Sequence, residues 1–169
     1  MTGNALLVEQ VQVVSAIIPS DLSGAANNGD WVSLKNFARA TVLVLKGAGT
    51  AGEDPVITLR QAKDVAGTDA KALTFTRVDE KVGVQTGIGQ FTTVEQAAAN
   101  TYTNTASAEA QAVFAIDVLA STLDINNGFD CLQVQIPDVG TNAQLGCALY
   151  LLREPRYATN GVVPSAIVD

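Results

Sequence analysis

Gly47, Gly49 and Gly52 stand in the order G-x-G-x-x-G directly after an apolar run, within the stretch LVLKGAGTAGEDPVITL at 43–59. This spacing folds a backbone turn around a dinucleotide's pyrophosphate when a helix follows and receives the phosphate at its N-terminus. Asp54 and Pro55 are able to cap and start a helix. Val56, Ile57 and Thr58 come next, however, and three β-branched residues make a poor first helical turn and a good strand. No βαβ alternation surrounds the motif, so the stretch reads as the tip of a hairpin. Lys46 precedes the glycines instead of closing them, which removes the Walker pattern too.

A second stretch, DINNGFD at 124–130, spaces Asp124, Asn126, Gly128 and Asp130 two apart. Oxygen ligands at that spacing make Asp124, Asn126 and Asp130 a weak calcium candidate. No acidic residue closes the loop at position twelve and no helices flank it, so an Asn127-Gly128 turn between strands is the first reading. The chain has no histidine. That removes the commonest general base, zinc ligand and triad member. Cys131 and Cys147 form no C-x-x-C pair and lie in strand-like runs, where a buried thiol acts as a small apolar group. Asp79-Glu80 beside Lys81 reads as a solvated strand end, and no G-x-S-x-G elbow occurs. The expectation is a protein without enzymatic activity, cofactor or resident metal.

Ten basic against seventeen acidic residues give a net charge of −7 over 169 residues. Nucleic acid and anionic membrane surfaces are therefore unexpected partners. Residues 1–10 lack a basic n-region and a long apolar core, so they do not read as a signal peptide. No apolar run approaches the ~20 residues of a membrane helix.

The elements that carry these residues are strands. Runs at 11–18, 31–37, 39–47, 56–63, 73–82, 112–120, 129–137 and 145–154 are β-branched, alternating, or both. Pro19 is expected to end the first. Turn residues fill 24–30 and 64–72. The Gly-, Ala-, Thr- and Asn-rich segment 83–111 reads mostly as loop, with a short strand near Phe91–Val94 or a helix over 94–100. Seven or eight strands without a long amphipathic helix predict an all-β fold, an antiparallel β-sandwich of jelly-roll-like type. Residues 11–153 form that domain, with extended arms at 1–10 and 154–169. Trp31 reads first as core and second as a partner-facing anchor. The arms carry the other partner-binding candidates: Leu6, Leu7 and Val8, and Tyr157, Val162, Val163 and Ile167. A strand-like arm is able to extend a neighbour's sheet; the bland alternative is that both ends pack on their own domain.

Four stretches carry a family resemblance: residues 29–73, NNGFDCLQVQI at 126–136, AQLGCALYLLREPRY at 143–157 and the closing PSAIVD. They resemble a family of small structural proteins of tailed bacteriophages and prophages, encoded near the major capsid protein. The resemblance implies a head decoration, or cement, protein on the exterior of an HK97-type capsid, made in the bacterial host cytoplasm. It implies the major capsid protein and further copies of the chain, by analogy a trimer, as partners. Rival readings are a tail or head-completion component and a carbohydrate-binding module.

Overall fold

The computed structural model describes residues 6–157 and 163–167. Among them the chain forms twelve strands and two short helices. The elements are α1 (Leu7–Gln10), β1 (Val11–Asp21), β2 (Asn27–Asn28), β3 (Val32–Ser33), β4 (Phe37–Lys46), β5 (Ile57–Ala62), β6 (Lys71–Ala72) and β7 (Phe75–Val82). They continue with α2 (Gln85–Ile88), β8 (Thr92–Ala99), β9 (Thr101–Tyr102), β10 (Ala112–Leu119), β11 (Cys131–Ile136) and β12 (Leu145–Pro155). One antiparallel sheet has the order β1-β12-β4-β10-β7-β8. The other runs β2-β11-β5-β6, with β3 also on β11 and β9 also on β5. The chain passes back and forth between them, so β4 and β5, and β10 and β11, lie in opposite sheets. The two sheets enclose one core, and the fold is the all-β antiparallel sandwich that the alternation predicts.

Alternation explains the core. From the first sheet come Ala40, Val42 and Val44, Phe114, Ile116 and Val118, and Ala148, Tyr150 and Leu152; from the second, Ile57, Leu59, Leu132, Val134 and Ile136. Each set repeats every second residue, as a pleated strand requires.

A fully buried side chain, Tyr150, joins the middle of the two sheets by hydrogen bonds. The partner strand of β11 is interrupted between β2 and β3, at 29–31. The Tyr150 hydroxyl reaches across from the first sheet and accepts the Val134 N–H at 2.7 Å. It donates in turn to the Asp30 carbonyl at 2.9 Å. Gly29 fills the remaining place: its N–H donates to the Val134 carbonyl at 2.9 Å. A Cβ there would lie 2.8 Å from that same oxygen and 3.1 Å from the tyrosine hydroxyl.

Five expectations need correction. The segment 31–37 is not one strand: Val32, Ser33 and Leu34 are all buried, and a turn at Lys35–Asn36 separates β3 from β4. Pro19 does not end β1, which runs on to Asp21 through a register shift between Ile17 and Ser20. β1 is an edge strand, where a missing N–H is tolerated. The alternation expected over 73–82 is not regular: a bulge between Phe75 and Arg77 buries Val78, at the opposite parity to Leu73 and Phe75. The short strand expected near Phe91–Val94 is the start of the eight-residue strand β8, which pairs along β7 and continues through the alanines to Ala99, in place of the loop or helix expected there. The N-terminal segment is not an extended arm where it is described. Leu7–Gln10 form a helical turn, with the Leu6 N–H donating to the Glu9 carboxylate at 2.8 Å.

Replacing Tyr150 by phenylalanine leaves the buried Val134 N–H without its acceptor and takes the donor from the part-buried Asp30 carbonyl. The expected loss is about 1–3 kcal/mol of stability, read as a lower urea midpoint at unchanged slope. A midpoint equal to that of the wild type would show the bridge to be dispensable.

Candidate functional site

The glycine stretch binds the protein's own chain. It crosses from β4 in one sheet to β5 in the other, so it is not a hairpin tip. The Gly47 N–H donates to the Leu145 carbonyl at 2.7 Å and the Gly49 N–H to Ala108 at 2.8 Å. No helix follows; β5 begins at Ile57. Glu53, at the far end, accepts from the backbone N–H groups of Thr141 and Asn142, each at 3.2 Å, and from the Asn142 side chain at 2.9 Å. These bonds, Thr141's first, hold its carboxyl below the usual glutamate range. Lys46, buried at the end of β4, donates to the carbonyls of Ser107, Ala110 and Ala108 at 2.5, 2.8 and 3.2 Å. Burial pushes its pKa down.

The calcium candidates do not converge. Asp124 accepts from Lys71 and, through both oxygens, from Asn127 at 2.9 Å. Lys71 is the first cause of its lowered pKa. Asn126 is exposed. Asp130 faces Lys35 at 3.8 Å. The turn is a 3-10 turn over Ile125–Asn127, closed by Gly128 at φ 84, a conformation that costs other residues a Cβ clash. Among the described residues no three His, Cys, Asp or Glu side chains gather as metal ligands. Both cysteines are free; burial, then Asp130, pushes the Cys131 thiol up to about 12.

Trp31 is half-buried, with its indole against Gly67. Leu6, Leu7 and Val8 are exposed on and beside α1, and Tyr157 and Ile167 are exposed as well. Val162 lies outside the described residues. Val163 packs on the core and Ala166 is buried, its carbonyl accepting from Ser33 at 2.7 Å. Residues 163–167 therefore fold back onto their own domain, and the expected C-terminal arm is not extended there. The structure does not bring these candidates into one site.

The feature that does stand out is the outward face of the six-stranded sheet. Antiparallel sheets usually turn polar residues to solvent. Here Leu43 lies between Leu149 and Ala115, Leu45 between Cys147 and Val113, and Leu151 opposite Val13. The four leucines are half-buried. Charged residues surround them. Asp117 accepts from Thr41 at 2.5 Å, Arg153 at 2.8 Å and Arg39 at 3.3 Å. Arg77 donates to Asp79 at 2.8 Å, and Thr93 donates to the same carboxylate at 2.6 Å. Arg77 is the main reason that the Asp79 carboxyl sits below its ordinary range. With Phe91 these residues line an open groove of about 520 Å³ floored by Leu43, Ala115 and Leu151. A contiguous apolar floor with a polar rim is the pattern that interaction surfaces show. Sequence reasoning missed it, although the signal was present: 42–45 and 149–152 are apolar at both parities, as in strands covered on both faces.

No family model and no curated protein matches the chain. Among solved structures, the SPBc2 prophage-derived protein YomS is similar at 11% identity and a TM-score of 0.43, over 83% of this chain and 92% of that one. No described helix is long and apolar enough to cross a membrane.

Replacing Glu53 by glutamine removes a carboxylate whose pKa is lowered by folding. Its contribution is present above the ordinary glutamate range and is lost as pH falls through the folded value below it. Glu53→Gln should melt below the wild type at pH 7, and the gap between the two melting temperatures should narrow as the pH is lowered to 3. A gap of equal size at both pH values would contradict the assignment.

Proposed function

We propose that this chain is a non-enzymatic structural protein of a tailed-phage or prophage virion. In this reading it decorates the outer surface of an HK97-type head as a homo-oligomer and reinforces the junctions between capsomers. The observation that carries the reading is the leucine-floored outward face of the six-stranded sheet, an assembly surface on a rigid β-core. The family resemblance of the sequence supports its assignment to a capsid. So does the interleaved order β1-β12-β4-β10 against β2/β3-β11-β5-β9, which is consistent with a jelly roll, a common shell architecture.

The physical logic of a cement protein suits this molecule. Many copies on one shell gain by multivalency, so each contact can be modest. Binding the mature lattice alone stabilises that lattice by mass action. Leu6, Leu7 and Val8, exposed beside the edge strand β1, are the residues best placed to reach a neighbouring capsomer.

Sedimentation with expanded, empty heads of the parent phage tests the reading. Co-sedimentation at hundreds of copies per particle is expected, with reduced binding when residues 1–10 are deleted. A handful of copies would point to a tail or head-completion part. No binding at all would end the capsid reading.

A further inference from the structure

The same face carries a projection as well as a recess. The β7–β8 hairpin ends in residues 83–91, and its α2 turn leaves Val84 91% and Ile88 100% exposed. Apolar side chains so fully in water at a loop tip make no contribution to this domain's own core. The tip stands beside the groove: Phe91, just after it, lines the recess, and Thr86 and Gly87 come up to Leu45 and Val113. Lys81 lies over the Phe91 ring at 4.8 Å and positions that wall. A knob and a hole thus occur on one surface.

Charge indicates what fills the hole. The chain as a whole is strongly acidic. The outward face is balanced: Arg39, Arg77, Lys81 and Arg153 stand against Asp79, Glu95, Asp117 and Glu154. Two copies meeting through most other parts of their surface would bring acidic groups together. Through this face they meet without net repulsion, and the paired signs around the rim can be matched across the contact. A basic partner would be drawn instead to the acidic remainder.

We propose that the tip of the β7–β8 hairpin of one copy, led by Ile88, seats in the leucine-floored groove of a second copy of this chain. The proposal rests on the homo-oligomer part of the function proposed above and not on its capsid part. It is a contact between unlike parts of one face. It closes either as a mutual exchange between two copies or as a ring of more.

The test is the mass of the full chain by light scattering after size exclusion, across the micromolar range. The wild type is expected as an oligomer. Ile88→Asp is expected to run at monomer mass, and because Ile88 touches nothing in its own domain, its circular dichroism and melting temperature should be those of a folded β-protein. Leu43→Asp, in the floor, should dissociate the oligomer equally, and Ile125→Asp, exposed elsewhere, should not. A monomeric wild type, or an Ile88→Asp variant with unchanged mass, overturns the proposal. So does loss of capsid binding in Ile88→Asp without change of mass, which would assign the tip to the shell. A monomeric Ile88→Asp from a wild type that binds no capsid leaves the contact standing and removes only the decoration reading.

Discussion

A hydroxyl in the middle of the sandwich sets the relation between the two sheets. The second sheet is thinly built: β2, β3, β6 and β9 are two residues each, and only β5 and β11 run for six. A sheet of such fragments holds its register weakly, because few ladder bonds oppose slippage. Tyr150 supplies what the ladder lacks. It is fully buried, so the bond from Val134 forms where water is excluded and where leaving it unmade is expensive, while the bond to Asp30 is part-buried. β12, eleven residues long and laddered to β1 on one side and β4 on the other, holds the ring in place. The well-ordered sheet thereby fixes the fragmentary one, and burial pushes the phenol's pKa well up, so the hydroxyl keeps its proton as a donor.

The connections at one end of the sandwich obey the same rule. Crossing between sheets exposes backbone groups that no ladder can satisfy. Lys46 gathers three carbonyls of 107–110, and Glu53 gathers N–H groups of 141 and 142. One cation and one carboxylate, each facing backbone and not each other, tie the 47–54 crossing to two other loops. The glycines that resemble a nucleotide turn belong to this clamp. At Gly49 a Cβ would lie 3.0 Å from the Ala108 carbonyl oxygen and 2.2 Å from the buried Gln144 side-chain amide, so the close approach of chain to chain accounts for a glycine there without a phosphate.

What the sequence disclosed follows from which forces are local. Strands β4, β11 and β12 were legible because their side chains alternate against a core, and a period of two survives in a one-dimensional string. The turn at Lys35–Asn36 was not, since Trp31, Ser33 and Lys35 imitate an exposed parity while Ser33 is in fact buried. β8 was legible only at its start, near Thr92–Val94, because alanine favours helix locally over the rest. The strand forms only because β7 offers it a ladder, and that is a contact distant in sequence. The bulge at Phe75–Arg77 reversed a parity that no neighbouring residue announces. The site shows the same division. The doubled apolar parity of 42–45 and 149–152 was readable as a two-faced strand. Ile88, a single apolar residue between Gly87 and Gly89, carries no pattern at all.

The pairing of a two-faced leucine sheet with an acidic exterior has a consequence for assembly. Apolar area drives association without regard to partner, so a face like this one would be a liability on a neutral protein. A net charge of −7 keeps copies apart at long range in dilute solution. Screening by salt reduces that barrier while leaving burial of Leu43 and Leu151 unaffected, because the attraction acts at contact and the repulsion across a Debye length of about 10 Å at 0.1 M. In the contact proposed above, the balanced face is therefore favoured over any other surface, and the contact should strengthen with ionic strength where one built on ion pairs alone would weaken. The sign of the salt dependence distinguishes the two origins: Arg39, Arg153 and Asp117 organise the rim, whereas in the proposed contact the leucines beneath them would supply the driving force.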